Sequence, residues 1–224
     1  RSFLKWLIKH DYNVLAPDKI ELPKIDSHSL KFLTPEQVNF LLAQPYLSTE
    51  VDLRDKAILE VLFSTGLRVS ELVSLNRDQV NLKTREFGVI GKGRRHRVVF
   101  LSERAAEWVG RYMDERVDDF SPLFIRYSRG EDTTNNGENM RLSTRSVQRI
   151  VKKYVRRAKL PIDATTHTLR HSFATDLLQH GADLRSVQEF LGHKNIATTQ
   201  IYTHVTDKKL REIHGKFHGK EMEN

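Results

Sequence analysis

The sequence predicts a mainly α-helical fold carrying one small antiparallel β-hairpin, an α+β chain. Three observations lead there. Apolar residues recur at helical spacing through most of the chain. Capping residues and glycines bracket those runs. The period switches to short β-like runs only around residues 87–101.

The elements follow in chain order. Phe3 to Ile8 are apolar with spaced lysines and read as the last turns of a helix. Val14 to Leu33 lacks a pattern, carries Pro17 and Pro23, and reads as a linker. The chain is therefore expected to open on residues 1–12, the tail of a preceding domain, then a tether over 13–33, then a main domain from residue 34. Arg1 rather than Met stands first, which fits that order. Thr34-Pro35-Glu36-Gln37 combines an N-cap, Pro at N1 and Gln at N3, a capping box. Its helix should run to about Gln44. A second helix is expected over Asp52 to Ser64, with Ile58, Val61 and Leu62 on one face and Gly66 as its stop. A short third helix carries Arg68, Glu71 and Leu72.

Residues 87–90 and 98–101 are the β-like runs, and the Gly-punctuated stretch Gly91-Lys92-Gly93-Arg94-Arg95 joins them as a hairpin. Helical pattern returns from Glu103 to Glu115. Ser128 to Met140 is polar, contains Asn135-Asn136-Gly137, and is expected to be a mobile loop. Ser143 caps a helix to Ala158. Thr168 to His180 and Leu184 to Leu191 form two more, closed by Gly181 and Gly192. A short segment holds Thr198 to Tyr202, and a charged tail follows from Asp207.

Composition narrows the function. The 224 residues suffice for one large domain or two small ones. No apolar run reaches the roughly 18 residues of a membrane span, and no signal-peptide pattern opens the chain. Cysteine is absent, which excludes disulfides, thiol catalysis and Cys-based zinc sites. Lys and Arg total 37 against 29 acids, a net charge of +8. That balance suits a polyanion such as DNA, or simply a basic surface with no nucleic-acid role.

Several side chains carry chemistry. His167 and Arg170 are three apart and share a helix face, where a planar guanidinium fork can match phosphate oxygens. A solvated helix face is the plainer reading of that spacing alone. Arg68 follows a helix-ending glycine, where anions bind well. Glu71 either orients Arg68 or forms a surface pair worth little. Lys92, between two glycines at the hairpin tip, is either a proton donor to a leaving oxygen or a solvated turn lysine. Arg94, Arg95 and Arg97 form a basic cluster suited to phosphate contacts, and Arg145 is added to the expected DNA contacts. Tyr202 lies nine residues after His193. It is either a nucleophile, whose unperturbed pKa of about 10 requires a base or positive surroundings, or a half-buried tyrosine, with His193 a core histidine. Taken together, two Arg, one Lys, two His and one Tyr suit metal-free phosphodiester transesterification, in which fixed cations stabilise charge developing at phosphorus. No carboxylate pair stands at two-metal spacing.

At this point the sequence resembles the tyrosine recombinases, the phage integrase family, and within them the Xer type most closely. The likeness rests on Thr65-Gly66-Leu67-Arg68-Val69-Ser70-Glu71-Leu72 and Gly91-Lys92-Gly93. It continues through His167-Thr168-Leu169-Arg170-His171-Ser172-Phe173-Ala174-Thr175 and Leu191-Gly192-His193. Thr198-Thr199-Gln200-Ile201-Tyr202-Thr203-His204 completes the ordered set, which covers most of residues 34–206. The resemblance implies that fold and that chemistry. Arg68 and Arg170 would clamp the scissile phosphate, and Lys92 would protonate the 5′ oxygen. His167 would assist proton transfer, and His193 would bind the phosphate. Tyr202 would form a 3′-phosphotyrosine, with neither cofactor nor metal. It further implies a tetramer on two DNA sites that passes through a Holliday junction, in the cytoplasm and at the nucleoid when active. Residues 207–224 would dock on a neighbour through Leu210, Ile213 and Phe217, or lie on their own subunit and hold Tyr202 back. The preceding helical domain of the family is represented only by its last helix.

Three rivals stand beside this reading, of which one, a structural helical domain, leaves the ordered motif set unexplained. A type IB topoisomerase shares the chemistry but typically carries Lys at the position of His167. A non-enzymatic helix-turn-helix binder over Ala174 to Gly192 would need neither Tyr202 nor His193. The sequence does not separate chromosome-dimer resolution from mobile-element integration.

Overall fold

The chain divides into two units, Arg1–Leu30 and Lys31–Asn224. The structure is a computed structural model and describes residues 1–20, 32–91, 96–127, 134–192, 214, 215 and 218.

The first unit contains helix α1 (Ser2–Lys9), an amphipathic segment that buries none of its residues and leaves Phe3, Trp6 and Ile8 exposed. A 3₁₀ turn at Pro17–Lys19 follows, within the stretch expected to be linker. The Arg1 guanidinium closes this unit by donating to the Ile20 carbonyl at 2.7 Å.

The second unit starts with Leu33. Its side chain is in the core, and its N–H donates to Ser172 Oγ at 2.8 Å. Helix α2 (Pro35–Leu42) begins at the expected capping box: Gln37 N–H donates to Thr34 Oγ1, and Thr34 N–H to Gln37 Oε1. It stops two residues short of Gln44. Helix α3 (Glu50–Thr65) is longer than expected at both ends because Thr49 caps it and Gly66 ends it in a left-handed conformation, φ 59°.

Three apolar residues on one face understate α3, which is buried nearly all round and packs against α2, helices of the later chain and the hairpin. Its charged residues go inside because each finds a partner. Asp55 accepts from Arg54 and from the Tyr154 hydroxyl. Lys56 donates to the Leu42 carbonyl at 2.6 Å and pairs with Glu60, which also holds Arg104. Buried charge without such partners would be strongly unfavourable.

Helix α4 (Val69–Val73) is short. Strands β1 (Glu86–Ile90) and β2 (His96–Phe100) pair antiparallel, with Val89 opposite Arg97. Helix α5 (Glu103–Glu115) lies along α3. The expected mobile loop is partly corrected. Residues 134–140 are wound into a tight turn with Asn135, Asn136 and Gly137 all at positive φ. Ser121 N–H donates to Asn136 O and Arg126 N–H to Met140 O, and Met140 is buried. Asn and Gly tolerate the left-handed region, so the sequence permits the turn that these long-range bonds hold.

Helices α6 (Thr144–Arg157), α7 (Thr166–Gln179) and α8 (Leu184–Leu191) complete the described elements. Helix α7 starts two residues earlier than expected because Thr165 caps it. A large core surrounds α3, and a smaller one gathers Phe100, Phe173, Leu177, Val187, Phe190 and Leu191. Among the described residues no helix is long and apolar enough to cross a membrane.

Candidate active site

The site begins where α3 ends. Gly66 reverses the chain, and a Cβ there would meet Phe173 Cδ1 at 2.5 Å. Only glycine combines that backbone conformation with so close an approach. The turn delivers Arg68 to the N-cap of α4 and Glu71 to its first turn. Glu71 Oε2 accepts the Arg68 backbone N–H at 2.8 Å, and Oε1 accepts from Arg68 Nη1 at 3.0 Å. Glu71 is 4% exposed, so of its two sequence readings the structure selects the orienting one.

Arg97 enters from β2. Its Nη1 and Nη2 donate to Glu71 Oε1 and Oε2 at 2.8 and 2.7 Å, a fork-on-carboxylate pair. The side chain is only 12% exposed. Arg97 was expected among the DNA contacts; here both terminal nitrogens face a carboxylate. Burial alone would raise the Glu71 pKa, but the Arg97 hydrogen bonds, the Arg68 N–H, the Arg97 charge and the Arg68 guanidinium hydrogen bond outweigh it and hold Glu71 at about 2.

Arg170 comes from α7. It is buried, and its Nη1 and Nη2 donate to the carbonyls of Gly66 and Leu191 at 2.5 Å each. Arg68 Nη2 reaches the next carbonyl, Gly192 O, at 3.5 Å. Two guanidiniums thus converge on adjacent carbonyls at the end of α8. Burial and the neighbouring charges of Arg68 and Arg97 lower the Arg170 pKa to about 10, so it remains a cation at neutral pH. His167 stands in the first turn of the same helix. The three-residue spacing holds, but the two side chains differ: Arg170 is buried and His167 is exposed.

Lys92, Arg94, Arg95, His193 and Tyr202 lie outside the described residues. Their flanks are described. Strands β1 and β2, which pair with each other, flank residues 92–95 in the sequence. Gly192, at φ 62°, ends α8 immediately before His193. Arg145 is exposed near the start of α6, and Arg149, Lys152, Lys153 and Arg156 are exposed along the same helix, which contains no acid.

Sequence reasoning missed two histidines of the tail. The expected anchors Leu210, Ile213 and Phe217 lie outside the described residues, but His214 and His218 pack on their own subunit. His214 Nε2 donates to the Ser64 carbonyl at 2.9 Å, and its ring lies among Phe100, Phe173 and Phe190. Burial, with His218 nearby, pushes its pKa down to about 3. His218 Nδ1 donates to Asp176 Oδ2 at 2.8 Å, with Phe63 and Phe173 against its ring. The four-residue spacing from Leu210 through His214 to His218 was the available signal. Among the described residues no group of three His, Cys, Asp or Glu is placed to hold a metal.

The profile of the phage integrase family matches residues 31–209. The chain belongs to the phage integrase family. The tyrosine recombinase XerD of Lacticaseibacillus casei is 39% identical over 219 residues, covering 97% of this chain and 73% of the relative. That of Haemophilus influenzae is 39% identical over 220 residues, with the same coverage. The crystal structure of XerA recombinase superposes at TM-score 0.64 and 32% identity, over 88% of this chain and 68% of that one. XerH bound to difH in a pre-cleavage complex gives 0.64 at 25%, over 93% and 61%. The mainly helical fold with one two-stranded sheet is that of a tyrosine recombinase catalytic domain. Family and relatives make this chain an Xer-like tyrosine recombinase, an enzyme of site-specific DNA cleavage and rejoining.

Proposed function

We propose that Arg68 and Arg170 clamp the scissile phosphate and that Tyr202 attacks it. The observation that carries this is their convergence: Arg68 and Arg170 reach the adjacent carbonyls Gly192 O and Leu191 O, directly before His193. In the first step the Tyr202 oxygen bonds to phosphorus and the bond to the 5′ oxygen breaks. Lys92 supplies the proton to that oxygen, His167 assists by taking the proton that the Tyr202 hydroxyl gives up, and His193 hydrogen-bonds the phosphate. The product is a 3′-phosphotyrosine. The 5′ hydroxyl of a partner strand then attacks phosphorus and the tyrosine leaves. One phosphoester replaces another at each step, so no nucleotide cofactor is consumed. The cluster stabilises the charge that grows on the phosphoryl oxygens in the transition state.

The DNA partner is a double-stranded recombination site. Arg94, Arg95 and Arg145 contact its backbone, where cations position the duplex rather than read it. Residues 34–206 form the catalytic domain, residues 1–12 the last helix of a preceding domain, and residues 13–33 the tether. Residues 207–224 serve subunit docking in a homo- or hetero-tetramer on two sites, leaving the seat on their own subunit that His214 and His218 occupy here. The setting is the cytoplasm. The test is trapping on a nicked duplex in which a released fragment prevents religation. A protein–DNA band on a denaturing gel is expected for the wild type and absent for Tyr202→Phe. A band of equal strength in that variant would refute the nucleophile.

A further inference from the structure

The chemistry of cleavage proposed for this site leaves the Arg97 fork without a role. That side chain joins three elements. It rises from β2, whose partner strand β1 ends two residues before Lys92 in the sequence. It grips both oxygens of Glu71, which in turn holds the backbone and guanidinium of Arg68. Its δ-carbon lies against Gly192, where a Cβ would stand 3.2 Å away. Its Nε is buried and has no hydrogen-bond partner among the described residues, so the side chain gives up solvation to lie there. A cation meant for a DNA phosphate gains nothing from such an arrangement.

We infer that Arg97 is a positioning residue of the cleavage step: it locks Glu71, and through Glu71 sets the angle of the Arg68 fork on the phosphate. This rests on the assignment of Arg68 as part of the phosphate clamp. The physical reason is geometric. Glu71 alone meets Arg68 through one guanidinium nitrogen and one backbone N–H, and a carboxylate held on that side only can rotate. Two parallel bonds from Arg97 fix its plane. Glu71 also separates like charges, since Arg68, Arg97 and Arg170 lie close enough for the first two to depress the pKa of the third. Lys at position 97 would keep the charge but not the fork.

The experiment uses the full chain and a nicked duplex carrying the site enriched from random DNA by the Tyr202→Phe protein. Single-turnover cleavage at saturating protein and salt-titrated binding are measured for Arg97→Lys, Arg97→Gln, Glu71→Gln, the Glu71→Gln/Arg97→Gln pair and Arg68→Ala. Loss of one charge-assisted contact predicts cleavage roughly 10- to 100-fold slower for Arg97→Lys, with binding and its salt slope unchanged. The pair should be no slower than its slower member, because both act on one fork. Arg97→Lys keeps a cation beside Glu71 and so decides the matter if Arg97→Gln melts. Wild-type cleavage by Arg97→Lys overturns the inference. So does weakened binding with a salt slope smaller by about one, the mark of a phosphate contact. Wild-type cleavage by Arg68→Ala would instead sink the clamp itself, a distinct failure.

Discussion

Replacing Gly66 with Ala perturbs the fold and the site through one methyl group. Two costs add. Gly66 sits at φ 59°, where a side chain costs about 1–2 kcal/mol. The new Cβ would lie 2.5 Å from Phe173 Cδ1 and 3.1 Å from Leu191 Cδ2. Phe173 is 1% exposed and packed against Phe190 and His218, so it has nowhere to go. Overpacking of that kind costs about 1–3 kcal/mol. The expected loss is therefore about 2–5 kcal/mol, which lowers the melting temperature of a unit this size by roughly 4–20 °C. Cleavage should suffer below the melt as well, because the Gly66 carbonyl orients Arg170. Gly88→Ala is the control: nothing lies within 4 Å of its added Cβ, and its stability should shift by less than about 0.5 kcal/mol. Thermal unfolding followed by circular dichroism reads both variants. A Gly66→Ala protein melting within a degree of wild type would refute the packing argument.

Further outcomes follow from other sites. Asp55→Ala strands the buried Arg54, and urea denaturation should show a loss of about 3–5 kcal/mol, an unchanged midpoint being the contrary result. Deleting residues 208–224 removes His214 and His218 from their aromatic pocket; if the tail restrains Tyr202 on its own subunit, cleavage of a nicked substrate should rise, and equal or lower cleavage contradicts that restraint. The buried His214 must stay neutral while a free histidine protonates near pH 6.5. Tail docking is then strongest above pH 6.5 and weakens by up to about 1.4 kcal/mol per unit as pH falls from there toward 3. Hydrogen exchange around the tail checks this, and protection that stays constant from pH 7.5 to 5 contradicts it.

What the sequence made legible was mostly local. Thr34 and Ser143 announce helix starts because a cap bonds only three residues ahead, and both bonds are present. Gly66 and Gly192 announce helix ends for a similar reason, their left-handed conformation. The charged interior of α3 was not legible. Arg54, Lys56 and Glu60 look like solvated charges until Ile125, Leu42 and Arg104 arrive from elsewhere in the chain.

The site divides in the same way. Ordered motifs named Arg68 and Arg170, yet which of His167 and Arg170 is buried depends on how α7 meets Gly66 and Leu191. Arg97 reads as one more basic residue near a glycine turn. Its partner Glu71 lies 26 positions away across two elements, and no periodicity links them. The turn at residues 134–140 was visible as Asn-Asn-Gly, but its anchoring to Ser121 and Arg126 was not.

If Tyr202 is the nucleophile, it becomes covalently joined to the 3′ end of the cleaved strand. The most direct measurement digests the trapped adduct with protease and nuclease and maps the modified peptide by mass spectrometry. A nucleotide phosphate on Tyr202 is expected, with a free 5′ hydroxyl on the released strand. A phosphate on any other residue, a 5′ linkage, or no adduct on DNA the protein demonstrably binds would contradict it.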